Sequence, residues 1–172
     1  MKSKFLPTKD NIYSFIFNLI LLGLTLIIGG YYINYQLVKI NQQNASQQNL
    51  IEKRNEFIKE FTVSGQKRIY LAEQYSQNLR NHESEQVLNR SWENYMNAVE
   101  DWNSRNLLNP LFISYYFGNE NRNEFYNVLA INISELHKDL LSLRDGKNVN
   151  IDSSIEDAKH ELFIFSEKLL SY

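Results

Sequence analysis

The stretch from Ile12 to Ile33 reads IYSFIFNLILLGLTLIIGGYYI and carries no charged residue. The hydrocarbon core of a bilayer takes about 20 apolar helical residues, so this run is long enough to cross one. Tyr13 at one end and Tyr31, Tyr32 and Tyr35 at the other stand where an aromatic belt meets the two interfaces. A secretory signal has an apolar core of only ~7–15 residues and a small-x-small cleavage site; here the run is longer, and Ile28 spoils Ile28-Gly29-Gly30. It reads as an uncleaved signal-anchor, a single transmembrane helix over residues 12–35 behind a tail of residues 1–11.

Charge at the flanks sets the expected orientation. Lys2, Lys4 and Lys9 precede the run, weakened slightly by Asp10, and Lys39 alone follows it before Lys53 and Arg54. Positive charge is retained in the cytoplasm, which predicts a cytoplasmic N-terminus in the plasma (inner) membrane and a periplasmic or extracellular remainder. Taking Lys2, Lys4, Lys9, Lys39 and Asp10 from the totals of 18 basic and 20 acidic residues leaves 14 against 19, a net charge of -5 outside. An acidic surface of this kind argues against nucleic acid as a partner.

Within the anchor, Asn18, Leu22, Thr25 and Gly29 recur at steps of four, three and four and so share one helix face. An amide, a hydroxyl and a glycine on one stripe suit packing against a second helix in lipid, either of another membrane protein or of a second copy. The same residue types also fall in lone anchors by chance, and the pattern is not a GxxxG. Beyond the bilayer, Asn41-Gln42-Gln43-Asn44-Ala45-Ser46-Gln47-Gln48-Asn49 lies within a polar neck over residues 36–49, either flexible or a solvated continuation of the same helix.

Residues 50–172 are expected to form the outer domain. Its glycines and prolines are too few for the regular turns of a sandwich or barrel: the whole chain has 6 Gly and 2 Pro. Leu50, Arg54, Phe57, Ile58 and Phe61, then Ile69, Ala72, Tyr75 and Leu79, recur at helical steps, with Gly65 weakening the middle by about 1 kcal/mol. Leu88, Trp92, Tyr95, Val99 and Trp102 alternate steps of four and three, the a and d positions of a coiled-coil seam, and read as core. A third helix is predicted to open at Asn121, with Glu124 in capping-box position, and to present Phe125, Leu129, Asn132, Leu136, Leu140 and Leu143 before Asp145-Gly146 stops it. Ser153 and Glu156 predict the cap of a fourth, burying Ile155, Ala158, Leu162, Phe165 and Leu169. The predicted fold is all-α: an antiparallel four-helix bundle behind the transmembrane helix, with a short extra apolar helix between bundle helices 2 and 3.

That extra segment, Leu107 to Gly118, is the most apolar outside the anchor. Pro110 after Asn109 marks its start and Gly118 its stop. Leu111, Phe112, Tyr115, Tyr116 and Phe117 form a candidate partner-binding surface, because a helix apolar on all sides must bury both faces. Either it closes the membrane-proximal end of the bundle, or its aromatics meet lipid headgroups or a partner subunit.

The sequence offers no catalytic set. Without cysteine, thiol catalysis and cysteine metal sites are excluded. His82, His137 and His160 fall in different elements, and His160-Glu161 lacks the second histidine of a zinc-protease helix because Ile164 stands there. Gly-rich phosphate loops and nucleophile elbows are likewise missing. The expectation is no catalytic, cofactor-binding or metal-binding residue: a membrane-anchored, non-enzymatic interaction module, an accessory or modulator subunit of an envelope complex. The alternative is a ligand-sensing bundle that reports through a partner membrane protein, with Trp92, Tyr95 or Trp102 near the ligand. In layout, one anchor followed by an outer four-helix bundle resembles the sensing half of bacterial chemoreceptors; the resemblance carries no motif and assigns no family.

Overall fold

A computed structural model describes the backbone of residues 9–105 and 108–172, and the side chains of those residues except 9–13 and 15. Lys2, Lys4 and Leu107, and the side chains of Lys9, Asp10 and Tyr13, lie outside the described residues. The protein is all-helical, with no strand among the described residues. Six helices follow in order: α1 (Lys9–Arg80), α2 (Glu85–Arg105), α3 (Leu108–Phe117), α4 (Asn119–Glu124), α5 (Ala130–Arg144) and α6 (Ile151–Leu170), with a π-helical turn (Phe125–Leu129) joining α4 to α5. The chain divides into two compact units, residues 1–51 and residues 52–172.

In the first unit the segment beginning at Ile16 is long and apolar enough to cross a membrane, and none of its most apolar window is buried by protein. Asn18, Leu22 and Thr25 are exposed and Gly29 is partly so. The Thr25 hydroxyl donates back to the Leu21 carbonyl at 2.8 Å, satisfying itself within its own helix. A Cβ on Gly29 would meet nothing within 4 Å, so within this chain that face is unoccupied. Residues 36–49 are helical, which decides between the two forms expected of the neck. An uninterrupted run without proline leaves no position at which the backbone must leave the α region.

The second unit has one core, to which every one of its elements except the short α4 contributes a buried apolar side chain. Phe61 on α1 touches Trp102 of α2, Phe125 of the π turn and Phe165 of α6, with ring centroids 5.5, 5.9 and 5.8 Å away. Tyr75 of α1 meets Trp92 of α2 at 5.0 Å. Gly65 is explained by closeness: a Cβ there would lie 2.8 and 2.9 Å from the Leu162 methyls and 3.2 Å from Trp102 Cζ3. The α2 stripe buries Tyr95, Val99 and Trp102, with Leu88 and Trp92 half-buried. All five residues expected of α6 are buried, joined by Ile151 and Ser166.

Helix ends show how local chemistry yields to packing. The third helix does not open at Asn121. It opens at Asn119 after Gly118 (φ 90°), and Asn121 instead turns its amide onto the Phe117 carbonyl at 2.6 Å, capping α3 from the next helix. The fourth begins at Ile151, two residues before Ser153, because burying Ile151 extends the core by a turn; no side chain caps it, and Ser153 reaches Asp157 instead. The π turn widens the helical repeat, so the core face runs Phe125, Leu129, Ile133, Leu136, Leu140, and Ile133 takes the place expected of Asn132. α1 and α5 end alike. At each, the first residue past the helix cap adopts positive φ, His82 (53°) or Gly146 (77°), and a paired 6→1 and 5→2 set of backbone bonds closes the turn.

Candidate functional site

Three surfaces of the second unit bear on function. The first is α3. Its apolar composition leaves no polar face, so two sides compete for one core. Phe117 wins a place in it, 5% exposed, with the Arg54 guanidinium 5.1 Å from its ring centroid and Tyr172 against its edge at 6.1 Å. Ile113, one turn earlier, is fully buried. Tyr116 is half-buried and Phe112 42% exposed; both lean on Phe57 of α1, at 6.1 and 5.7 Å. Leu111 and Tyr115 point away, at 63% and 73% exposed. Of the five residues singled out on this segment, the structure therefore separates Leu111 and Tyr115 on the outside from Phe117 inside, with Phe112 and Tyr116 at the border.

A second surface was not anticipated from sequence. Between α1 and α6 lies a groove of about 580 Å³, floored by Ile69 and Leu162 and edged by Tyr70, Phe163 and Leu170. All three edge residues are exposed, as is Val63. The signal was present as a second apolar stripe: Val63 and Tyr70 are seven residues apart, and so are Phe163 and Leu170. Helices with one apolar face explain a core, whereas a second stripe rotated from it marks surface left for something else.

The third is a cavity of about 210 Å³ with a mixed lining that includes Arg68, Trp102, Asn103, Ser134 and His137. Arg68 is 4% exposed, makes no ion pair to a carboxylate among the described residues, and its Nε has no hydrogen-bond partner among them. Its neighbour is Tyr95, whose hydroxyl oxygen lies 2.8 Å from His137 Nδ1. The Tyr95 hydroxyl and His137 Nδ1 share one hydrogen bond, with the Arg68 guanidinium close by. Desolvation and then the Arg68 charge hold His137 below the usual imidazole value. Burial likewise raises the Tyr95 hydroxyl and lowers the Arg68 guanidinium. Sequence reading passed over Arg68, yet Phe61, Gly65, Arg68, Ala72, Tyr75 and Leu79 run at steps of four and three, which puts a guanidinium on a core seam. Of the aromatic trio, Trp102 lines this cavity and Tyr95 stands behind it against His137, whereas Trp92 lies under the Arg144 guanidinium at 4.3 Å.

No grouping of three or more potential metal ligands occurs among the described residues. Comparison with protein-family models, with characterised proteins and with solved structures finds no match to this chain.

Proposed function

We propose that this chain is a membrane-anchored, non-enzymatic interaction module, an accessory or modulator subunit of an envelope complex. Its first unit crosses the plasma membrane once, N-terminus inside, and its second unit is an antiparallel four-helix bundle on the outer side. Support for the bundle comes from pairings in which numbers rise on one helix as they fall on the next. On α1 and α6 these are Thr62 with Ser166, Glu73 with Lys159 and Arg80 with Asp152. On α1 and α2 they are Glu60 with Arg105 and Tyr75 with Trp92, and on α2 and α5, Trp92 with Arg144 and Tyr95 with His137. For the anchor, the support is an apolar window that no protein covers.

The observation that carries the interaction reading is the α1/α6 groove with its exposed apolar edge of Tyr70, Phe163 and Leu170. A concavity with apolar walls between two helices accepts an amphipathic helix, whose anchors recur at the same spacing as the walls. Exposed Leu111 and Tyr115 on α3 offer a second, smaller apolar surface. The partner is a second membrane protein, which also meets the Asn18, Leu22, Thr25 and Gly29 stripe in the bilayer.

Affinity purification of the full chain in mild detergent, read by mass spectrometry, tests this. A stoichiometric membrane-protein partner is expected, lost on Phe163→Ser with Leu170→Ser while the melting temperature changes little, since both side chains are exposed. Recovery of a lone monomer in several detergents overturns the reading.

A further inference from the structure

We propose that the cavity at Arg68 is a binding site for a small organic monocarboxylate, held by a guanidinium–carboxylate pair with its apolar body against Val99 and Trp102. This stands independently of the groove and of any partner protein. A buried charge without an opposite partner is costly to keep, and folded proteins ordinarily neutralise, pair or replace it. Arg68 cannot neutralise itself by losing its proton, because a guanidinium stays charged throughout the physiological range. It is 4% exposed, its Nε is unpartnered among the described residues, and the Tyr95 hydroxyl beside it is uncharged.

The cavity supplies what an anion needs and omits what would repel one. Asn103 and Ser134, both exposed at its edge, offer neutral donors. Acidic side chains are absent from the lining among the described residues. Arg68 is the single cation there, which fits one carboxylate rather than two. Half of the wall is apolar: Val99, Trp102, Ala130 and Ile133. An inorganic oxyanion would leave that half unused, whereas a short carbon chain covers it. A volume of about 210 Å³ equals roughly seven water molecules at ~30 Å³ each, so it takes an acid of about six heavy atoms, the size of butyrate.

The test uses the full chain in detergent micelles, with Trp92→Phe so that Trp102 alone reports, titrated with sodium butyrate at constant ionic strength. A saturable change in Trp102 emission is expected, with phosphate and chloride failing to compete. Arg68→Met should abolish the response and, by removing an uncompensated buried charge, raise the melting temperature of the unliganded protein. If Arg68→Met does not fold, Ser134→Leu at the exposed edge narrows the cavity and should weaken binding at least tenfold. Absence of any saturable response to butyrate overturns the proposal, as does a response unchanged in Arg68→Met or Ser134→Leu, or equal competition by phosphate. A lowered melting temperature in Arg68→Met with no butyrate response in the parent assigns Arg68 to the core alone, and also overturns it.

Discussion

Replacing Gly65 by alanine sets two terms of opposite sign against each other. An open glycine in a helix gains about 1 kcal/mol on becoming alanine, because the unfolded chain loses freedom. At Gly65 the new methyl would sit 2.8 and 2.9 Å from the two Cδ atoms of Leu162 and 3.2 Å from Trp102 Cζ3. Carbon atoms rest about 3.5–4.0 Å apart, so both neighbours must withdraw by several tenths of an ångström. Both are buried at 2% exposure, and forcing one methyl into such a core costs about 1–3 kcal/mol. Leu162 floors the α1/α6 groove and its end can swing partly into it, which sets the cost near about 2 kcal/mol. The net expectation is a loss of about 1 kcal/mol. Urea unfolding of the full chain in mild detergent measures it, followed by tryptophan emission, since both tryptophans lie in the helical second unit. On a Leu162→Ala background the two nearest atoms are gone, and the same substitution should turn neutral or stabilising by up to about 1 kcal/mol. Stabilisation by Gly65→Ala in the otherwise unaltered chain would refute the close approach of α1, α2 and α6.

Other substitutions follow from the same contacts. Phe117→Ala should cost about 3–5 kcal/mol of unfolding free energy, and Tyr115→Ser less than about 0.5, the first being core and the second 73% exposed; equal losses would mean that α3 has no inner and outer side. His82→Gly should raise stability by about 0.5–1 kcal/mol, because His82 holds a left-handed conformation that glycine adopts freely, and a lower urea midpoint would count against it. His137 has a depressed folded value, so as pH falls the unfolded chain takes up that proton first. Its contribution is complete above the usual imidazole value of about 6.5 and is lost progressively as pH falls below it. Urea midpoints should therefore drop between about pH 7.5 and about pH 5.5, and drop less in His137→Gln; the same slope in both proteins would exclude His137 as the cause.

Periodicity made the core legible where one apolar face decides a helix's rotation. The α2 seam of Tyr95, Val99 and Trp102 and the α6 face of Ile155 to Leu169 are both of this kind. Helix starts were not legible, because capping is a competition whose outcome depends on tertiary neighbours. Asn121 had a free N-cap role in sequence terms and lost it to a buried carbonyl of α3 that only the fold brings near. Ser153 lost its role because Ile151 is drawn into the core. The π turn left no mark beyond Ile133 standing one place past the expected Asn132. Arg68 and the second stripe on α1 and α6 were visible as patterns. Their meaning needed the positions of Tyr95, His137 and Leu162, which belong to other helices.

The proposed single crossing, with the helical unit outside, is directly measurable because the sequence contains no cysteine. A lone thiol introduced as Glu83→Cys, in the exposed turn after α1, or as Ser3→Cys, ahead of the apolar run, can be challenged with a membrane-impermeant maleimide on spheroplasts. Labelling of the Glu83→Cys protein in intact spheroplasts, with the Ser3→Cys protein labelled only after permeabilisation, is the predicted result. Protection at position 83 with labelling at position 3 would contradict it, as would labelling of both in intact spheroplasts or release of the protein into the soluble fraction.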